Sequence, residues 1–146
     1  MREISLKIDY KFFVSWLVCT FSMFGLSYAW HGLVLNDFMR ISYPLDLFLV
    51  IAAFVYLAIG LGITTLTYIG KRIKNSFRYG ILVGGIAGAL IYAVAFLLGL
   101  SFYTVIDFKI IAFDFGWQCL EQGVGGLVCG WVYRFLYQRS KRIIVV

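Results

Sequence analysis

His31, the only histidine of the chain, stands in the segment YAWHGLVLNDF, six residues before Asp37. A second polar set falls in FDFGWQCLEQGVGG, where Asp114, Gln118 and Glu121 follow at i, i+4 and i+7 with Gln122 adjacent. Residues so spaced share one helix face, so the three make a polar stripe that Gly125 continues. At 1.5 Å per helical residue, Glu121 is expected about 10 Å in from Asp114 and His31 about 9 Å in from Asp37. Two ionisable groups on different helices then reach similar depth, with Ser27 and Thr20 extending the histidine's stripe. A carboxylate beside an imidazole can hold and pass a proton, and acidic neighbours attract cations. His31, Glu121, Gln118, Asp114, Asp37 and Gln122 are therefore the candidate ion- or proton-handling site, lining a polar vestibule.

Other chemistry finds less support. Structural metal sites use several nitrogen or sulfur ligands, and one histidine offers a metal, haem or pigment a single axial bond. Cys19, Cys119 and Cys129 have no metal-ligand spacing. Cys119 and Cys129 would lie about 15 Å apart along one helix, too far for a direct disulfide. All three read as small buried hydrophobes. The sequence has no Ser/His/Asp or Cys/His nucleophile motif, no HExxH, no CxxC and no phosphate-binding glycine loop. The chain is accordingly expected to be no enzyme and to hold neither metal nor cofactor.

The elements that must position these residues are membrane helices. Hydrophobic residues make up 62% and charged residues 14% of the chain, against about 45–50% and about 25% in soluble proteins. Four apolar stretches of 24 or 25 residues stand out: Phe12–Leu35, Leu45–Ile69, Gly80–Tyr103 and Phe113–Tyr137. Each exceeds the ~20 residues a helix needs to cross ~30 Å of hydrocarbon. The connections, 36–44, 70–79 and 104–112, are short, and short links make antiparallel neighbours. The expected fold is all-α: one integral membrane domain over residues 1–146, an antiparallel bundle of four transmembrane helices. Pro44, the only proline, falls just before the second helix, where a missing N–H costs little.

Lys and Arg orient such a bundle. Eleven lie at the two ends of the chain and in the second connection: Arg2, Lys7, Lys11, Lys71, Arg72, Lys74, Arg78, Arg134, Arg139, Lys141 and Arg142. Only Arg40 and Lys109 lie in the other two connections. Both termini are thus expected in the cytoplasm, in a multi-pass protein of a bacterial inner membrane or an equivalent bilayer. Acids run the other way, since Asp37, Asp46, Asp107 and Asp114 gather at the opposite face. The net charge of +6 then serves orientation and contact with anionic headgroups, and no nucleic acid is expected as partner. Ser27-Tyr28-Ala29 resembles a signal-peptide cleavage pattern, but the first span is expected to stay as an uncleaved signal anchor.

Glycine spacing predicts how two of the helices pack. Gly80, Gly84 and Gly88 recur every four residues, and Gly126 and Gly130 repeat that spacing in the last span. Glycines four apart let two backbones approach closely, so these faces are expected to meet in the cytoplasmic half of the bundle. A glycine zipper between copies of the chain is the alternative. The outer halves, free to splay, would open the vestibule.

These features lead to a small non-enzymatic membrane protein, an accessory or assembly subunit of a larger membrane complex. Its polar patch would fix helix register, with Glu121 paired or protonated. Its partners would be the lipid bilayer and other membrane subunits, or further copies of itself. The alternative is a small transporter or channel built on His31 and Glu121.

Overall fold

The computed structural model describes residues 9–42, 44–69, 76–97 and 107–144. They form four α-helices: α1 (Tyr10–Ser27), α2 (Leu45–Ile69), α3 (Tyr79–Leu97) and α4 (Phe108–Ile144). Among the described residues there is no strand. The first helix starts ahead of its apolar run because Asp9 caps it, accepting the Phe12 N–H at 3.3 Å. A side-chain acceptor there satisfies one of the donors that a helix start leaves free. Lys11 Nζ also reaches Asp9, at 2.8 Å.

Beyond Ser27 the chain keeps turning but widens into a π-helix, Tyr28–Val34. The Leu35 N–H closes that turn on the Trp30 carbonyl at 2.9 Å. Asn36 then adopts φ 59°, in the left-handed region, which Asn tolerates better than most residues. The chain reverses there into a short 3-10 turn, Asp37–Arg40. Gly32 permits the reversal, since a β-carbon on it would stand 2.6 Å from the Phe38 ring.

The last helix is longer than its apolar stretch at both ends. Residues 108–112, expected in the third connection, are helical because Asp107 caps them. Its carboxylate accepts the Lys109 N–H at 2.8 Å and its carbonyl the Ile111 N–H at 3.0 Å. At 37 residues the helix is about 55 Å long, more than a hydrocarbon core requires. Its final turns carry Arg134, Gln138 and Arg139. The expected end of the third span at Tyr103 and the basic residues 71–74 lie outside the described residues.

Neighbouring helices pack antiparallel. Along α1 and α2, Phe12 meets Tyr68 edge-on at 5.7 Å and Phe24 meets Tyr56 at 5.8 Å. Between them Thr20 packs on Gly60, and the Trp16 indole donates to the Leu57 carbonyl at 2.9 Å. Along α3 and α4, Gly80 faces Gly126 backbone to backbone and Gly84 faces the Gln122 carbonyl. Gly88 lies against Gln118, and Gly130 against the Phe77 carbonyl. The core is Cys19, Met23, Ile63 and Cys129, where α1, α2 and α4 converge. Gly125 leaves the space that Met23 and Cys19 occupy. α4 touches all three other helices.

Three helical stretches, Tyr10–Val34, Leu45–Ile69 and Tyr79–Leu97, are long and apolar enough to cross a membrane. Their outward positions, among them Phe21, Phe54, Leu82 and Leu90, are exposed and apolar, as a surface solvated by lipid tails requires. α4 is long enough but carries Asp114, Gln118, Glu121 and Gln122 within its apolar stretch.

Candidate functional site

The close approach of α3 and α4 turns Glu121 and Gln122 toward the helices around them, and both are 0% exposed. Their principal partner comes from the middle of α2. The Tyr56 hydroxyl donates to Glu121 Oε1 at 2.6 Å, and Gln122 Nε2 donates to the same oxygen at 3.1 Å. Ser27, at the end of α1, lies near the carboxyl without closing a hydrogen bond to it. The Trp117 indole N–H stands beside it without closing a hydrogen bond. Two buried oxygens are left over: Glu121 Oε2 and Gln122 Oε1 have no hydrogen-bond partner.

His31 belongs to a second group, at the π-helical end of α1. The reversal at Asn36 folds Asp37 back beside it, so Nδ1 of His31 and Oδ2 of Asp37 are 2.9 Å apart. The expected axial separation assumed a helix running straight on to Asp37, and the π-turn removes that premise. The two side chains are 37% and 36% exposed. Asp114 lies near both. Trp30 stacks on Trp117 at 4.0 Å with planes 15° apart and contacts Phe113 at 5.5 Å. These rings tie the π-turn to the start of α4.

Five of the six candidate residues therefore fall into two sets. His31, Asp37 and Asp114 make a half-exposed cluster, while Glu121 and Gln122 make a closed one. No hydrogen bond or ion pair among the described residues joins His31 to Glu121, although the histidine's field reaches the carboxyl. Gln118 lies between the sets, half-buried, its carbonyl 2.5 Å from where a β-carbon on Gly88 would be. No hydrogen bond among the described residues joins its side chain to Glu121. Thr20 turns instead to α2, donating to the Tyr56 carbonyl at 3.5 Å.

Sequence reasoning passed over Tyr56. Its signal was a phenol near the middle of an otherwise apolar span, eleven residues from Leu45 and thirteen from Ile69, too deep for an interfacial belt.

Chemically, the closed set can hold a proton or a small cation against Glu121, and the half-exposed set can exchange protons with water. No three His, Cys, Asp or Glu side chains converge as metal ligands among the described residues. Comparison with protein-family models, with curated proteins and with solved structures finds no match.

Proposed function

We propose that this chain is a four-span membrane protein of a bacterial inner membrane or an equivalent bilayer, with both ends cytoplasmic. In this reading α4 is the fourth span, shielded by three apolar neighbours, and the eleven basic residues mark the cytoplasmic side. The protein serves as a non-enzymatic accessory or assembly subunit of a larger membrane complex.

The Tyr56–Glu121 hydrogen bond, 2.6 Å between α2 and α4, is the observation that carries this function. This short polar contact between two helices is spent inside the bundle, fixing helix register, and the exterior is left to apolar contacts with lipid and other helices. Purification in a mild detergent, with quantitative mass spectrometry, tests the proposal. One partner chain should copurify at fixed stoichiometry, and its complex should fail to assemble when this chain is deleted. A homogeneous homo-oligomer, with every complex intact after deletion, overturns the reading.

A second reading, a small transporter or channel handling protons or cations, is favoured by the two unpartnered oxygens beside Tyr56. It predicts that Glu121→Gln abolishes pH-dependent flux in proteoliposomes while the protein stays folded. Unchanged flux removes Glu121 from any transport mechanism.

A further inference from the structure

The leftover hydrogen-bonding capacity of Glu121 and Gln122 defines a ligand. An ionised carboxylate is acceptor-only and spreads its charge over both oxygens, while a primary amide offers one acceptor oxygen and two N–H donors. Here the donors crowd onto one oxygen, with Tyr56 O–H at 2.6 Å and Gln122 Nε2 at 3.1 Å from Glu121 Oε1. Glu121 Oε2 receives nothing, and Gln122 Oε1 also lacks a partner. Both residues are 0% exposed, so bulk water does not reach these two atoms. Two acceptors at the free ends of planar groups already joined by one N–H···O bond call for a single shared hydrogen.

We propose that Glu121 and Gln122 form a binding site for one proton, held on Glu121 Oε2 and donated to Gln122 Oε1. The two side chains then close an acid–amide ring, with O–H···O=C on one edge and N–H···O=C on the other. Tyr56 clamps the acid's carbonyl oxygen from α2. The proton removes a charge that would be costly among membrane helices and gives both orphan oxygens a partner.

The surroundings agree with a proton taken up from water at the π-helical end. α1 and its π-turn present Ser27 at the carboxyl, and beyond it the half-exposed His31–Asp37 pair, whose histidine acts on Glu121 through its field. α4 adds Trp117 beside the carboxyl and, further out, Asp114 in the field of His31. α2 adds Tyr56, and α3 brings Gly84 and Gly88 against the Gln122 and Gln118 backbone. Among the described residues no lysine or arginine acts on the Glu121 carboxyl. The site stands whether the protein is a subunit or a transporter, because the ring holds its proton in either case.

The chain has only two glutamates, Glu3 and Glu121, so isotope labelling can isolate one carboxyl without altering the site. The Glu3→Gln chain, grown with 13C-glutamate and placed in lipid nanodiscs at neutral pH, should give an infrared C=O band of a neutral carboxylic acid. That band should shift down on 13C labelling and again in D2O. Gln122→Leu, which opens the ring, should move it to higher frequency. Label-sensitive carboxylate bands alone would overturn the proposal. So would a sodium-dependent rise in thermal stability with no acid band, which would assign the site to a monovalent cation. An acid band unmoved by Gln122→Leu would overturn the ring.

Discussion

Alanine at the glycines between α3 and α4 tests the packing that closes the candidate site. A β-carbon on Gly88 would stand 2.5 Å from the Gln118 carbonyl oxygen, where ordinary contact begins at 3.4 Å, so the helices must part there by about 0.9 Å. At Gly80, Gly84 and Gly126 the carbon would meet a facing carbonyl still more closely. Overpacking of this kind costs about 1–3 kcal/mol, and a backbone carbonyl cannot rotate away as a flexible side chain can. Against that, alanine is the better helix former by about 1 kcal/mol. The expected net loss is about 1 kcal/mol for Gly88→Ala and about 2 kcal/mol for Gly80→Ala or Gly126→Ala. Gly62 and Gly116 have nothing within 4 Å of the added carbon, so alanine there should be neutral or stabilising by about 0.5–1 kcal/mol. Reversible unfolding in mixed micelles with rising dodecyl sulfate, followed by helical circular dichroism, measures all five. If Gly80→Ala and Gly126→Ala unfold at the same detergent fraction as Gly62→Ala, α3 and α4 do not meet at these glycines.

Four further outcomes follow from named contacts. In a double-mutant cycle of Tyr56→Phe with Glu121→Leu, which removes the acceptor, the coupling energy should be about 1 kcal/mol, above the ~0.6 typical of interhelical hydrogen bonds in membranes; zero coupling would deny the 2.6 Å bond. A cycle of His31→Ala with Asp37→Ala should give only about 0.5 kcal/mol, because both side chains are over a third exposed, and the coupling should shrink in high salt. Trp30→Ala should abolish the near-ultraviolet signal of the Trp30–Trp117 stack and cost about 0.5–1.5 kcal/mol beyond lost burial; an unchanged spectrum counts against the stack. In a background free of native cysteines, Cys at Asn75 should label only from the cytoplasm and Cys at Ser42 only from outside, and the reverse pattern would invert the orientation.

How much of this was legible in the sequence depended on whether a feature is local to one helix. α2 runs over Leu45–Ile69, the bounds its apolar run predicts. α1 and α4 start early because Asp9 and Asp107 supply acceptors to free backbone N–H groups, and a hydropathy count does not register caps. Glycine spacing identified a face of α3, but only the helix pairing reveals that Gly84 meets Gln122 and Gly88 meets Gln118. His31 was harder still. Its place follows from a π-turn and from one left-handed residue, Asn36, and a regular 3.6-residue repeat carries no mark of either. Glu121 stood out as a carboxylate in an apolar run, yet its partner Tyr56 lies 65 residues away and depends on how α2 and α4 are rotated.

The polarity of α4 also explains why composition sets it apart from the other helices. A helix judged alone must tolerate the hydrocarbon on every side, and Glu121 with Gln122 makes α4 a poor candidate on those terms. In the bundle those two residues face protein, because Gly84 brings α3 against the Gln122 backbone and Tyr56 reaches Glu121 from α2. The lipid-facing apolar surface is then supplied mainly by the three helices that pass the length and hydropathy test. In the proposed four-span arrangement the apolarity of α1–α3 and the polarity of α4 are two sides of one design: three helices facing lipid, and a fourth shielded largely by them. Loosening the glycine contacts would expose Glu121 and Gln122 to a medium that cannot solvate them. The tight α3–α4 seam and the closed polar site therefore stand or fall together.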